Sequence, residues 1–313
     1  MHVKRIGTLV PPTTWSIPDL GERLGLTPAQ VRLHTKFFGQ ERIAVADGLD
    51  IVDMLVPAGR EALQGNDPDS VRYLIYAHTV QHIAPPSRAV LDRVRRELGL
   101  RNASAFALSQ QNCVAGLYAV RLAQYLLHNA PDGAHALIMA GEKAFSPRLQ
   151  VIKGTTIMGE ATSACLVGND EGGHEVLAIA VRTLGRFYRC NDCSDELKSE
   201  YEQLYGNSLV AVMREALDDA GLIPDDVAMV LPHNVNRYSW RQVARDAGIP
   251  FSRVYLDNVA RIGHCFGADP FINFADALAA RRIGPGDVVL MATAGLGATF
   301  AAIAVRVGER ANQ

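Results

Sequence analysis

Cys113 is the residue of this chain whose type and position best suit covalent chemistry. It follows the apolar run 106–108 and precedes a helical pattern over 114–127, so we expect it at a helix N-terminus. The helix dipole and unpaired N–H groups there stabilise the thiolate, which is the nucleophilic form of cysteine. Gly116, one turn further on, lets another backbone or a substrate approach closely. A nucleophile and a buried structural cysteine both fit this pattern.

Two histidines occupy comparable positions in the second half of the chain. His233 follows an apolar run, and His264 precedes a helical pattern over 268–280. If the fold brings these element ends together, the histidines and Cys113 form the activated-nucleophile arrangement of covalent catalysis. Asp269, five residues after His264, can orient an imidazole or simply begin the helix.

A glycine-containing segment near the C-terminus links two apolar runs. It contains Gly295, Leu296 and Gly297. Glycines permit backbone shapes that can direct N–H groups at the oxyanion of an acyl-transfer intermediate. A tight hairpin turn fits the same pattern equally well.

The chain contains an internal repeat of about half its length. Cys113 and Cys265 are 152 positions apart, and so are Met139 and Met291. Each half predicts the order strand, helix, strand, helix, strand, with short apolar runs typical of strands buried on both faces. The predicted strands cover 106–108, 136–139, 164–167, 254–256, 288–291 and 301–305.

The boundary between the halves is expected in the polar, glycine-rich stretch 168–173. The N-terminal half, 1–170, then carries the cysteine, and the C-terminal half, 171–313, carries the two histidines. The stretch 184–208 does not fit the repeat, so we interpret it as an inserted loop. It contains one Cys-x-x-Cys pair, but no second ligand pair stands at suitable spacing, and we predict no metal site.

Composition excludes several classes of protein. Hydrophobic residues make up 48% and charged residues 20%, which permits a large core and excludes global disorder. The net charge of −2 does not suit a nucleic-acid binder, and no apolar run reaches the roughly 20 residues that span a bilayer. Five cysteines are an odd number, and the N-terminal residues show no secretion signal. We therefore expect a cytoplasmic protein that contacts neither nucleic acid nor membrane.

With these residues in view, the chain resembles the thiolase superfamily, specifically the ketoacyl-ACP synthase III-like condensing enzymes. The resemblance covers nearly the whole length, and the order and joint presence of its motifs are specific. Pro232-His233-Asn-Val-Asn236 is similar to the family's Pro-His-Gln-Ala-Asn motif, and Gly295-Leu-Gly-Ala-Thr299 is similar to its Gly-Gly-Gly-Phe-Thr loop. The other matching segments are 98–109 with Cys113 and Gly116, 159–164 and 283–290.

The resemblance implies a five-layer α/β/α/β/α sandwich of two duplicated halves, usually a homodimer. It implies a ping-pong acyltransferase in which Cys113 takes an acyl group from acyl-CoA or an acyl carrier protein as a thioester. The backbone N–H groups of Cys113, Gly295, Leu296 and Gly297 would hold the oxyanion, and His233 would act on the second substrate. No cofactor is implied, because CoA or the carrier protein enters with the substrate.

His264 is the main departure from the family, which has an asparagine in a Gly-Asn-Thr motif where this chain has Gly263-His264-Cys265. In the family, His and Asn together stabilise the enolate that forms when a malonyl thioester loses CO₂. A Cys-His-His set is similar to that of the elongating ketoacyl synthases, so decarboxylation stays open. Histidine can also accept a proton, as transfer to an alcohol or amine requires.

Three functions therefore compete. The first, which we favour on sequence, condenses an acyl thioester with a malonyl-type extender in a specialised pathway. The second transfers the acyl group to an alcohol or amine of a small-molecule acceptor without decarboxylation. The third is a non-catalytic partner subunit, against which the intact Cys113 and His233 argue. His82, Asn236 and Asp269 are expected to line or support the pocket.

Overall fold

The chain folds into a large mixed sheet covered by helices, which confirms the α/β prediction. The structure is a computed structural model that describes residues 1–80, 89–144, 146–188 and 193–309. Its strands are β1 (His2–Leu9), β2 (Thr14–Ser16), β3 (Arg42–Ala44), β4 (Val71–Ala77), β5 (Ser104–Leu108), β6 (His135–Glu142), β7 (Val151–Ile152), β8 (Thr156–Ile157), β9 (Ala161–Gly168), β10 (His174–Thr183), β11 (Val227–Pro232), β12 (Val288–Gly295) and β13 (Thr299–Arg306). Its helices are α1 (Ile17–Arg23), α2 (Pro28–Arg32), α3 (Ile51–Leu63), α4 (Val90–Glu97), α5 (Ala115–Leu127), α6 (Pro147–Gln150), α7 (Asp195–Asp219), α8 (Arg237–Ala247), α9 (Asp257–Arg261) and α10 (Asp269–Ala279).

Two groups of strands with similar connections form the main sheet. Within the described residues the strand order is β11-β12-β13-β10-β1-β9-β6-β4-β5. In the first group β4 runs parallel to β5 and β6, and in the second β11 runs parallel to β12. The groups meet where β1 pairs with β10 through His2 with Glu175 and Val3 with His174. The turn between β9 and β10 contains the stretch in which we expect the boundary between the halves.

Helices α5 and α10 lie between the two groups of strands. One buried cluster combines Val120 of α5 and Phe274 of α10 with Ile138 of β6 and Met291 of β12. Helices α3 and α4 cover the outer face of the first group, and α7 and α8 cover that of the second. The result is a five-layer α/β/α/β/α arrangement. It explains the apolar runs in β6, β9, β12 and β13, because a strand between two helical layers buries both of its faces.

The strand predicted over 254–256 is wrong. Val254 forms a single bridge with Val230, and the N–H of Tyr255 donates to the Val230 carbonyl at 3.0 Å. A 3₁₀ turn over Phe251–Arg253 precedes this contact, and α9 begins shortly after it. The chain therefore has too few extended residues at this position for a strand.

The described part of the stretch 184–208 is mostly helical, where we expected a loop. Ser194 caps helix α7 by accepting from the N–H of Leu197, so most of the described stretch is the first half of that helix. Helix α7 packs on β10 and β13, as α3 packs on β1 and β9. Its first half is exposed or half-buried as far as Asn207, which explains the polar composition that we interpreted as a loop. No helix of the described residues is long and apolar enough to span a membrane.

Candidate active site

Cys113 lies at the start of α5, as its sequence position predicts. It belongs to a 3₁₀ turn over Asn112–Val114 that continues directly into the helix. Gln110 and Asn112 both adopt left-handed backbone conformations, with φ of 72° and 49°. Such conformations cost non-glycine residues about 1–3 kcal/mol each and cluster at functional sites. This sharp turn directs the buried Cys113 side chain toward the second half of the chain.

Cys113, His264 and Asp269 form a continuous chain of hydrogen bonds. His264 Nε2 lies 3.2 Å from Cys113 Sγ, and His264 Nδ1 lies 2.5 Å from Asp269 Oδ2. Asp269 also accepts backbone N–H bonds from Asn234 at 2.6 Å and from Cys265 at 2.7 Å. These bonds fix the carboxylate, which fixes the imidazole in turn. The geometry is that of a nucleophile, a base and an orienting acid.

The charges of its neighbours keep the His264 imidazole protonated. Burial disfavours the imidazolium, but the negative charges of Asp269 and the Cys113 thiolate, with hydrogen bonds from both residues, outweigh burial and raise the pKa of His264 to about 10. The His264 imidazolium therefore faces the Cys113 sulfur as a hydrogen-bond donor, at 3.2 Å.

His233 lies beside His264 in a different electrostatic state. The two rings are 5.9 Å apart between centroids. Burial, followed by the positive charge of His264, lowers the pKa of His233 to about 3, so its imidazole is neutral at physiological pH. The carbonyl of His233 accepts from Trp240 Nε1 at 2.9 Å, which anchors the backbone behind the ring.

Tyr205 of α7 occupies one nitrogen of the His233 ring. Its hydroxyl oxygen lies 2.7 Å from His233 Nε2. Burial, with smaller contributions from Tyr201 and Cys113, raises the pKa of Tyr205 well above its ordinary value, so the hydroxyl stays protonated. Tyr205 was not among the predicted site residues, because it lies in the stretch that we interpreted as a loop. The spacing of Tyr201 and Tyr205, four residues apart, is the helical signal that could have identified it.

The predicted oxyanion segment is a hairpin turn between β12 and β13 that contacts the Cys113 region. Asn112 Nδ2 donates to the Leu296 carbonyl, and Thr293 Oγ1 donates to the Cys113 carbonyl at 3.3 Å. A Cβ atom added to Gly295 would lie 3.3 Å from the Cys113 backbone nitrogen. The hairpin turn and the oxyanion segment, which the sequence left as alternatives, therefore consist of the same residues. The role of these N–H groups in binding an oxyanion stays a prediction.

Close packing between α5 and the turn before α10 brings the two halves of the site together. A Cβ atom on Gly116 would lie 2.5 Å from the Gly267 carbonyl oxygen. Because neither residue has a side chain, the two backbones approach closely. This contact brings the start of α5 and the start of α10, which carry Cys113 and Asp269, into one region.

Asn236 is the remaining predicted residue that the structure describes, and it has a supporting position. Asn236 caps α8 by accepting from the Ser239 N–H at 2.7 Å, and its amide donates to the Thr155 carbonyl at 3.1 Å. It therefore supports the loop that follows His233. His82 lies outside the described residues. In the described part of the chain, no group of three or more His, Cys, Asp or Glu residues is arranged to hold a metal ion.

Comparison with known structures identifies the class of this fold. The chain superposes on the acyltransferase ChlB3 with a TM-score of 0.89, 22% identity and coverage of 99% of this chain and 98% of that chain. It superposes on the priming β-ketosynthase of the R1128 polyketide pathway with a TM-score of 0.80, 20% identity and coverage of 99% and 97%. The fold is the thiolase fold of the ketoacyl synthase III proteins.

Sequence comparison agrees with that class. Residues 217–307 match the model of the C-terminal part of 3-oxoacyl-[acyl-carrier-protein] synthase III. A β-ketoacyl-[acyl-carrier-protein] synthase III from Rhizorhabdus wittichii is 27% identical, over 85% of this chain and 87% of the relative. A 3-oxopimeloyl-[acyl-carrier-protein] synthase from Rhodothermus marinus is also 27% identical, over 96% and 92%. The chain is therefore similar in sequence to ketoacyl-ACP synthase III proteins over most of its length.

Proposed function

We propose that this protein is an acyltransferase that forms a thioester on Cys113 and passes the acyl group to an alcohol or amine. The donor is an acyl-CoA or an acyl carrier protein, and the pathway is a specialised one. The observation that carries the proposal is the chain of hydrogen bonds from Cys113 through His264 to Asp269. Transfer to oxygen or nitrogen requires a base that removes a proton from the acceptor, and an oriented histidine beside the acyl group meets that requirement.

In the first half-reaction, the Cys113 thiolate attacks the carbonyl carbon of the donor thioester. A new C–S bond forms, and the carbonyl electron pair moves onto the oxygen, where backbone N–H groups of Cys113 and the hairpin stabilise it. The intermediate then collapses and the donor C–S bond breaks. The departing thiolate takes the proton of the His264 imidazolium, which leaves acyl-Cys113 and a neutral imidazole.

In the second half-reaction, the neutral His264 acts as the base. Acylation removes the thiolate charge that helps to keep His264 protonated, so its pKa falls toward the range of a working base. The acceptor O–H or N–H attacks the thioester while Nε2 takes its proton. The bond from carbon to Cys113 breaks, and the thiolate–imidazolium pair is restored.

Decarboxylative condensation is the second candidate. The curated relatives that match most of the chain are named β-ketoacyl or 3-oxopimeloyl synthases. His233 and His264 also lie close enough for both to face a second substrate. A malonyl-type extender would then lose CO₂, and the resulting carbanion would attack acyl-Cys113. Release of CO₂ separates this reaction from transfer to oxygen or nitrogen.

The deciding experiment combines intact mass and CO₂ measurement. The protein is incubated with a panel of acyl-CoAs and acyl carrier protein thioesters, followed by alcohols and amines or a malonyl thioester. We expect an acyl adduct on Cys113 that disappears when an alcohol or amine is added, without CO₂ release. Cys113→Ala should give no adduct, while Cys265→Ala, a neighbouring buried cysteine, should retain it. An adduct that turns over only with malonyl donor and releases CO₂ would favour condensation.

The proposal includes a homodimer. Among the described residues, strand β5 stands at the end of the strand order, and its residues are exposed or partly buried. An exposed strand edge pairs readily with a strand of another chain. Light scattering of the purified protein measures the mass of the particle, and a monomer at working concentration would contradict this part of the proposal.

A further inference from the structure

We propose that Tyr205 is a positioning residue that directs the reaction away from decarboxylation by occupying Nε2 of His233. This inference rests on the proposed transfer to an alcohol or amine and names a residue that sets its specificity. It follows from the hydrogen bond between the Tyr205 hydroxyl and His233 Nε2, at 2.7 Å. Without that bond, the ring nitrogen would be available to a substrate.

Neighbouring aromatic side chains hold the Tyr205 side chain in place. Its ring packs at 6.1 Å from Phe300 of β13 and at 6.1 Å from Tyr201, one turn earlier on α7. Its ring is also 6.4 Å from that of His233. The hydroxyl is therefore held against His233 by packing on two sides, and an approaching substrate must displace it to reach Nε2.

The state of His233 makes this hydrogen bond decisive. The neutral ring has one N–H donor and one acceptor nitrogen. Among the side chains of the described residues, Tyr205 supplies the hydrogen bond to this ring, and it does so at Nε2. Nε2 is therefore engaged by the Tyr205 hydroxyl and is not open to a substrate.

Decarboxylation needs a hydrogen-bond donor at His233 Nε2, and the contact with Tyr205 makes that nitrogen unavailable to the substrate. When a malonyl thioester loses CO₂, the C–C bond to the carboxylate breaks and its electron pair forms an enolate with the thioester carbonyl. The enolate oxygen requires hydrogen-bond donors, and one such donor is worth about 10²–10³ in rate. Because Nε2 of His233 is already hydrogen-bonded to Tyr205, only His264 of the two histidines can donate a hydrogen bond to the enolate oxygen. Transfer to an alcohol or amine uses His264 as base and does not need His233 Nε2.

Tyr205→Phe tests the inference because it removes the hydroxyl and keeps the ring. We expect malonyl thioester decarboxylation to rise at least about tenfold over the wild type, while acylation of Cys113 is retained. Tyr201→Phe removes a hydroxyl one turn earlier on the same helix and should leave CO₂ release unchanged. The double variant Tyr205→Phe with His233→Ala should lose the gain, because the released nitrogen is absent.

Equal CO₂ release by the wild type and Tyr205→Phe overturns the inference, as does a gain that survives His233→Ala. The second readout is ¹⁵N histidine NMR of the wild-type chain, which needs no folded variant. It should show a neutral His233 with a hydrogen-bonded Nε2 at pH 6. A protonated ring, or an Nε2 without a hydrogen bond, would contradict the inference. If the wild type forms no adduct on Cys113, the proposed function fails, whereas the NMR result still decides the Tyr205 contact.

Discussion

His264 Nε2 lies 3.2 Å from Cys113 Sγ, although the two residues come from different halves of the chain. Each half supplies a helix start to this contact, and the Gly116–Gly267 approach brings those starts together. Asp269, at the start of α10, completes the set from the same half as His264. The candidate site is therefore a product of how the halves pack, and it can be tested one residue at a time.

Asp269→Asn should reduce acyl transfer strongly while leaving a folded protein. The amide keeps the size of the side chain but removes the charge that supports the His264 imidazolium, and it accepts fewer of the present hydrogen bonds. We expect a loss of about 10²–10⁴ in the transfer rate, as for other oriented base residues. Single-turnover kinetics with a radiolabelled acyl-CoA measure it.

Asp276→Asn is the matched control for that variant. Asp276 lies two turns further along α10, where it accepts from Asn258 at 2.8 Å, away from Cys113. We expect the control to keep a transfer rate within about threefold of the wild type. An equal loss in both variants would assign the effect of Asp269→Asn to the stability of the helix.

Alkylation of Cys113 should change the titration of His264. In the resting protein the His264 imidazolium should persist until the pH approaches about 10, because Asp269 and the thiolate both favour it. Iodoacetamide converts the thiolate into a neutral thioether, so one of those charges is lost and the pKa of His264 should fall. Histidine ¹⁵N NMR before and after alkylation follows both states. An unchanged titration would show that no thiolate is paired with His264.

His233 should make the protein less stable in acid. Its pKa is lowered to about 3 in the folded state, so below about pH 6.5 the unfolded chain binds a proton that the folded chain does not. The free energy of unfolding therefore falls as the pH falls through that range, by about 2 kcal/mol between pH 6.5 and 5. Urea unfolding at several pH values should show a smaller loss in His233→Asn. His128→Gln, an exposed position, should follow the wild-type curve.

Gly295→Ala should disturb the hairpin beside Cys113. The new Cβ atom would lie 2.5 Å from the Gln111 carbonyl oxygen, so the hairpin or the turn before Cys113 must shift. Because oxyanion binding depends on fixed N–H positions, we expect acylation of Cys113 to slow by about 10–10³-fold. Gly284→Ala, where a Cβ meets no atom within 4 Å, serves as the control and should acylate normally. Normal acylation in Gly295→Ala would remove the hairpin from the proposed oxyanion site.

Much of the fold could be predicted from the sequence because it depends on local patterns. Apolar runs predicted six strands, and five of these match strands of the structure. The helices after Cys113 and after Cys265 also follow from periodicity. The run at 254–256 failed because its neighbours turn the chain before a ladder can form. The start of α7 was missed because exposed helical residues are polar and resemble a loop in composition.

Some features of the candidate site also follow from the sequence, and others depend on tertiary packing. Residue type and position singled out Cys113, His233 and His264, since each stands at the end of an element where polar groups can face a common edge. Only packing decided that His264 contacts Cys113 and Asp269, and that Tyr205 contacts His233. The opposite protonation states of the two histidines also depend on packing, because burial and neighbouring charge come from residues distant in sequence. Composition and spacing carry no record of those distances, and the fold alone fixes them.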